Sequence, residues 1–586
     1  MIDMSNVTGI AEGKSLTAMG DKAHVDHPKE DDDVPLRYHE RTGSNQTNNY
    51  SVLDFYEMDS PNPGTERQFG STPKRTNEGP VSEGESSGDA TDDELEHEVP
   101  VAPAIISNNI PSQHCPQNRD GTDVPLHFDS KLGLGSILGS EFDIYGFKKS
   151  SSYHGISREE YDKWFPEYHK YTQKSRKKWH LLMKNNGLSI LENNIPKRFP
   201  PRSNKVKKMI RKGLPPEWRG TAWFFYAGGY EKLNKHIGVY EQIVRDTKNI
   251  QNKDTEVIER DLNRTFPDNK YFNDLLRLKP QTTEYGKNEG ETHIIKALRR
   301  VLVAFAHYQP HIGYCQSLNF LAGLLLLFME EEKAFWLLVI LTERIIPNVH
   351  SADLEGVHTD QGVLMLCIKE YIPSLWSVIG RNYDGEALGE DAVISKLPPA
   401  SLVTSSWFMS IFVTVLPVET ALRVWDILWY EGSKTIFRIS LTICKLCFEN
   451  PEFQDIRSRS IGSSETEQIE LYQFMQNYPK TLQDCDLLIS SCYKKIGGYG
   501  FGSLSQDEIN QCRHYISKQR SKLQNKQLLS ANLSREERNS LISSSLPASN
   551  QEDYSDVYEF HKPIMSGVRW NRNLSTKMKR KFSKKN

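Results

Sequence analysis

The chain has 586 residues, more than one ordinary domain holds and enough for a large core with tails. Its formal net charge of −3 excludes bulk electrostatic attraction to nucleic acid. Eight scattered cysteines give no disulfide framework, so a reducing compartment is expected.

Taken in chain order, the N-terminal MIDMSNVTGIAEGK has no apolar run of signal-peptide type. Residues 1–125 are rich in Ser, Asn, Gly, Pro and acids, with too few apolar residues to offset ordering entropy, so a disordered acidic tail is expected. Residues 126–204 bring an abrupt run of aromatics: SEFDIYGFKK at 140–149, then Tyr161, Trp164, Phe165, Tyr168, Tyr171 and Trp179. Acids interleave with them, which favours a helical segment packed on a larger body over a base-stacking surface.

Residues 205–500 read as mostly helical. In ETHIIKALRRVLVAFAHYQ, the residues Ile294, Ile295, Leu298, Val301, Leu302 and Phe305 share one helical face, with Glu291 or Thr292 at the start and Pro310 past the end. LNFLAGLLLLFM at 318–329 is shorter than the roughly 20 residues of a membrane span. EEEK at 330–333 divides it from AFWLLVILTERII, which predicts two buried helices with a charged turn between them. SSWFMSIFVTVL before Pro417, VETALRVWDILWYEG, and LYQFMQNYPKTLQDCDLLISSCYKK are further helical stretches. No period-2 run or fixed repeat is visible. Cys444 and Cys447 form a lone CxxC inside an apolar run; with no second ligand pair they read as buried helix cysteines, and no metal is expected.

Residues 501–550 read as a linker with exposed helical segments, including a possible capping box of Ser534 and Glu537. Residues 551–586 form a basic tail, Lys577 to Lys585, that could touch anionic lipid at about 1 kcal/mol per basic residue.

Three local patterns stand in order. LPPEWRGTAWFFYAGG (214–229) places Arg219 four before Trp223, IERDLNRTFP (258–267) places Asp261 three before Arg264, and HIGYCQSLNFLAG (311–323) contains Tyr314, Gln316 and Asn319. Singly each is weak, since an exposed Asp–Arg pair at this spacing contributes only tenths of a kcal/mol. Together they resemble the TBC domain, the helical module of Rab GTPase-activating proteins, over Lys212 to Leu441. The block SSWFMSIFVTVLPVETALRVWDILWYEGSKTIFRISL at 405–441 continues the resemblance. The FDIYGF run and acidic tail are similar to a budding-yeast subfamily, named for multicopy suppression of a budding defect, that acts in polarised exocytosis.

The resemblance implies an all-α, multi-helix, two-lobed V-shaped TBC domain between disordered tails. It implies an activator, not a self-standing enzyme, which supplies residues in trans to a GTP-bound Rab. By the family pattern Arg264 is the arginine finger and Gln316 a glutamine finger that orients the attacking water. Asp261 would aim Arg264, with Ile258 burying the opposite helix face and Phe266-Pro267 ending the helix. Arg219 and Trp223 would pack behind the arginine loop, while Tyr314 and Asn319 would fix the glutamine loop. No cofactor of its own is implied, because GTP and Mg²⁺ arrive with the Rab.

The resemblance further implies a cytoplasmic protein recruited peripherally to vesicles, plasma membrane and sites of polarised growth such as the bud tip and neck. Roles in vesicle transport, exocytosis, cell polarity and actin organisation follow from it, with polarity scaffolds as partners of the N-terminal tail and no nucleic acid. The alternative is a catalytically silent TBC module that binds a Rab or a scaffold. One residue departs from the pattern: Ser317 stands where the family usually has glycine, a cost if that position needs φ > 0. The polar loop 278–292 is a candidate partner contact.

Overall fold

The computed structural model describes residues 134–531, except 189–194, 277–290, 383–384, 390–392, 395, 460–464 and 494–499. The expected tails at 1–125 and 551–586, the Ser534/Glu537 box and nearly all of the 278–292 loop lie outside the described residues. Among the described residues every regular element is a helix, and backbone pairing of strand type is limited to isolated bridges. The all-α reading therefore holds. No described helix is long and apolar enough to cross a membrane.

Helix α1, Arg158–Asn185, begins at a capping box in which Ser157 and Glu160 satisfy each other's backbone N–H groups. It runs through Pro166, and Tyr161, Phe165, Tyr168, Trp179 and Leu182 line its buried face at helical spacing. The Trp179 indole donates to the Gly213 carbonyl at 2.9 Å, so this aromatic segment is sewn to the chain just before α2, Arg219–Tyr226.

Helix α3, Lys253–Leu262, starts at an Asn252 cap and buries Ile258, Asp261 and Leu262. It packs on α4, His293–Tyr308, whose cap is Thr292 and whose predicted apolar face is buried. α4 in turn packs on α5, Leu318–Leu326, and on the helix Glu331–Ile340. EEEK is not a free turn: Glu331 and Glu332 occupy the first turn of that second helix, where the positive end of its dipole favours acids.

The stretch 405–416 differs from a single helix. α6, Ala400–Met409, stops early, and Ile411 and Phe412 both take left-handed backbone, φ 47° and 63°. The Trp425 indole holds this turn by donating to the Ile411 carbonyl at 3.0 Å. Trp425 lies on α7, Val418–Glu431, which is buried from Val418 to Tyr430 and ends at Gly432, φ 85°. The run 471–495 also breaks at Pro479, between helices Glu465–Asn477 and Cys485–Tyr493.

The last described helix, α8, Gln506–Ala531, corrects the expectation of exposed segments. Its residues Ile509, Cys512 and Ile516 are buried against the helix Glu355–Tyr371, and Arg513 grips Asp360 through two nitrogens at 2.6 and 2.8 Å. Isoleucine and cysteine at i, i+3 and i+7 form an apolar stripe that the flanking charges conceal. Cys444 and Cys447 sit buried in the helix Lys434–Glu449, and burial pushes the Cys444 thiol up to about 12.

Candidate functional site

α3 ends at Leu262, two residues before Arg264 and well before Phe266-Pro267, so the arginine stands on the following turn. Phe266 takes left-handed backbone, φ 48°, which turns its ring into an aromatic cage. Phe147, Phe272 and Phe320 surround it with centroid distances of 5.3, 5.2 and 5.6 Å. Such a φ costs a bulky residue about 1–2 kcal/mol. Complete burial of the ring, about 1.5–3 kcal/mol, offsets it.

The Arg264 side chain is 47% exposed, whereas Asp261 is 1% exposed, and they pair at 2.6 Å. The second oxygen of Asp261 accepts from the Tyr314 hydroxyl at 2.5 Å. Burial, reinforced by the Asp261 charge, pushes that phenol well above its ordinary pKa, so it stays a donor. One carboxylate thus joins the arginine turn to the loop that carries Gln316.

Three further contacts tie the glutamine loop and α5 to α3 and the arginine turn. The Tyr314 N–H donates to Asp254 at 3.1 Å. The Asn319 amide donates at 2.8 Å to Thr265, whose hydroxyl donates at 2.7 Å to the Asp261 carbonyl. Gly323 lets α5 approach closely: a Cβ there would meet the Thr265 methyl at 3.0 Å and the Phe266 ring at 3.1 Å. Tyr314 and Asn319 therefore do not merely fix the glutamine loop; each reaches out of it to brace the arginine side.

Gln316 is half-buried, and its side-chain oxygen is buried with no hydrogen-bond partner. An amide oxygen left unpaired is costly, of order 1–3 kcal/mol. Ser317 has φ 89°, so this position does require left-handed backbone.

Arg219 and Trp223 stand elsewhere. Arg219 is fully buried, and its partners lie on α7 and at Tyr145. It reaches Asp426 at 3.2 Å, Glu419 at 2.6 Å and the Tyr145 hydroxyl at 2.5 Å. The Trp223 indole donates to Asp426 at 2.9 Å. Burial disfavours the charged guanidinium, but the pull of Asp426 and Glu419 outweighs it and holds the group well above its ordinary value. Burial likewise pushes Glu419 up, but Arg219 and hydrogen bonds from Tyr145 and Tyr168 bring it below the usual carboxylate range. Asp426 stays raised, its burial only partly countered by Arg219.

The link from this hub to the arginine loop is a strap at 142–153. The Tyr145 carbonyl accepts from Asn269 at 3.0 Å, Lys148 N–H donates to the Asp268 carbonyl at 2.9 Å, and Lys270 N–H donates to Gly146 at 2.9 Å. Ser151 adds a hydrogen bond to the Asp268 carboxylate at 3.0 Å. Sequence reasoning missed Tyr145, Asn269, Glu419 and Asp426 as support. The available signal was an acid inside the apolar run VWDILW, where an unpaired carboxylate would be too costly to bury.

Fold and site together define a helical domain in which a half-exposed arginine, braced by Asp261, is joined through Tyr314 to the loop that carries Gln316. A model of the Rab-GTPase-TBC domain matches residues 216–451. The GTPase-activating protein GYP3 of Saccharomyces cerevisiae is 42% identical over 495 residues, 77% of this chain and 76% of that protein. GTPase-activating protein MSB4 of the same yeast is 41% identical over 419 residues, 65% of this chain and 82% of that protein. Human growth hormone-regulated TBC protein 1 is 35% identical over 304 residues, 52% of this chain and 77% of that protein. The chain belongs to the TBC-domain family of GTPase-activating proteins.

The strap lies outside the residues that the family model matches, which gives a direct test of its importance. Asn269→Ala leaves the Tyr145 carbonyl and the Tyr271 N–H without their buried partner. Equilibrium urea unfolding is expected to show a loss of about 1–3 kcal/mol. An unchanged midpoint would mean that the strap is not pinned there.

Proposed function

We propose that this chain accelerates GTP hydrolysis by a Rab-family GTPase, to which Arg264 and Gln316 are supplied in trans. The observation that carries the reading is Asp261, which at once holds Arg264 and the Tyr314 of the glutamine loop. The two side chains are thereby kept on one braced surface while Arg264 remains open to a partner.

Charge that builds on the transferred phosphoryl group and leaving oxygen needs a cation that a slow GTPase lacks. The guanidinium stays charged and its planar fork matches phosphate oxygens. On the partner, the amide oxygen of Gln316 would accept a hydrogen bond from the attacking water and its NH₂ would donate towards the phosphate, so that the amide orients the water. GTP and Mg²⁺ come with the Rab, so the chain needs no cofactor of its own.

The setting we propose is the cytoplasmic face of vesicles and plasma membrane at sites of polarised growth, in exocytosis, cell polarity and actin organisation. The acidic N-terminal tail would engage polarity scaffolds, and Lys577 to Lys585 would contact anionic lipid. Deletion of residues 570–586 is expected to weaken binding to phosphatidylserine vesicles while leaving hydrolysis in solution unchanged. An equal loss in both assays sinks the membrane role.

The function itself is tested by phosphate release from a panel of GTP-loaded Rabs. Stimulation of a subset by the wild-type chain, lost in Gln316→Ala, is the expected result. Rab binding without stimulation would identify a silent module instead.

A further inference from the structure

Ser317 follows Gln316 and opens α5 in left-handed backbone, φ 89° and ψ −24°. A residue with a Cβ holds that conformation only if its surroundings over-determine it. Here the surroundings are specific. The buried hydroxyl of Ser317 donates to the Met409 carbonyl at 3.0 Å and lies 3.0 Å from Nε2 of His350. That same Nε2 lies 3.0 Å from the Met409 carbonyl.

The imidazole is fully enclosed, and its Nδ1 has no hydrogen-bond partner. A neutral ring with its proton on Nε2 fits this arrangement: the N–H is shared between Ser317 Oγ and Met409 O, and Nδ1 is left as a bare acceptor. Burial holds the ring neutral by lowering its pKa to about 4. Met409 closes α6, so its carbonyl is one of those a helix end leaves unsatisfied. The chain beyond it is the left-handed turn at Ile411 and Phe412 that Trp425 of α7 holds. Three segments distant in sequence thus meet at the peptide next to Gln316.

We propose that Ser317, His350 and the Met409 carbonyl form a clamp that positions the Gln316 side chain for catalysis. The clamp rests on the reading that Gln316 enters the hydrolysis, and it adds two positioning residues to it. The hydroxyl does at this position what a glycine cannot: it ties the left-handed peptide to the α6 terminus. In return the bonds hold a backbone that serine alone disfavours. Both effects fix the direction in which the preceding side chain leaves the backbone.

Two substitutions separate bonding from strain. Ser317→Ala keeps the strain and loses both hydrogen bonds, whereas Ser317→Gly loses the bonds and the strain together. The kinetics use the GTP-loaded Rab that the wild-type chain stimulates most. The maximal rate is expected to fall about 10- to 100-fold in Ser317→Ala, with the half-saturating concentration unchanged, because a displaced group loses rate and not docking. Ser317→Gly is expected to regain the thermal midpoint but not the wild-type rate. Amide hydrogen exchange across 313–321, which needs no Rab, is expected to quicken in both.

The decisive control is the Gln316→Ala background, in which Ser317→Ala is expected to lower the rate no further. A merely structural role would lower it there as well and overturn the clamp. Wild-type rate and exchange in Ser317→Ala would overturn it too, as would full recovery of rate in Ser317→Gly. An unimpaired Gln316→Ala single variant would instead remove the glutamine reading, a failure distinct from that of the clamp because it requires no change at Ser317.

Discussion

Arg264→Ala is expected to lower Rab GTP hydrolysis stimulated by this chain by about 10³-fold or more, about 4 kcal/mol of barrier. Folding should hardly change. Arg264 is half exposed, so its pair with Asp261 is discounted by solvent to less than about 1 kcal/mol. Asp261 also keeps its bond from Tyr314. Arg264→Lys retains the charge and loses the planar fork, and should recover only a small part of the rate. The measurement is single-turnover phosphate release at saturating activator, beside binding to the Rab loaded with a slowly hydrolysed GTP analogue. Undiminished binding with lost stimulation is the expected pair of results. A wild-type rate in Arg264→Ala would sink the arginine role and leave a binding module.

Asp261→Asn should reproduce part of this loss for a different reason. The amide keeps the size of the side chain but offers one acceptor to two donors, Arg264 and Tyr314. The arginine would then sample orientations that the carboxylate excludes.

The helical fold was legible because periodicity and capping are local: the Thr292 start and the apolar face of α4 both appear as read. Ends governed by tertiary contacts were not. Nothing in SSWFMSIFVTVL announces a stop at Met409, because the left-handed turn at Ile411 is held by Trp425 on another helix. The last helix hid its buried stripe behind Arg513 and its neighbours, and Arg513 is itself partly buried in a pair with the buried Asp360. In the site, Asp261 and Arg264 could be paired from spacing, since three residues on a helix or its last turn bring them together. The bracing of that pair from Tyr314, 53 residues away, could not.

The strap is the clearest case of information that sequence spacing does not hold. FDIYGF is visible as an aromatic run, yet its partners, Asn269 and Phe266 on the arginine loop and Glu419 and Arg219 in the hub, lie in three other segments. Tyr145 belongs to both sets, with its carbonyl serving the loop and its hydroxyl serving the hub. Tyr145 therefore touches both the hub and the loop that follows Arg264.

Arg219→Met tests the hub itself. The side chain keeps its length and loses its charge, leaving Asp426 and Glu419 buried without their common cation. Breaking a buried ion pair from one side costs about 3–5 kcal/mol, a large share of the 5–15 kcal/mol, roughly, that holds an ordinary domain. Thermal and urea unfolding should both show it.

The loss should depend on pH. Without Arg219 the two buried carboxyls favour their neutral forms, so their folded pKa values rise above the unfolded ones. A group with a raised folded pKa loses stability as pH rises from its unfolded to its folded value. In the wild type Glu419 is instead held low, and its contribution is lost as pH falls. The gap between variant and wild type should therefore be widest near neutrality and narrow towards pH 5. Arg219→Met combined with Glu419→Gln should narrow the gap at neutral pH as well, because one uncompensated charge is gone. A gap that is the same at every pH would mean that the cost is lost packing around the guanidinium and not the two stranded charges.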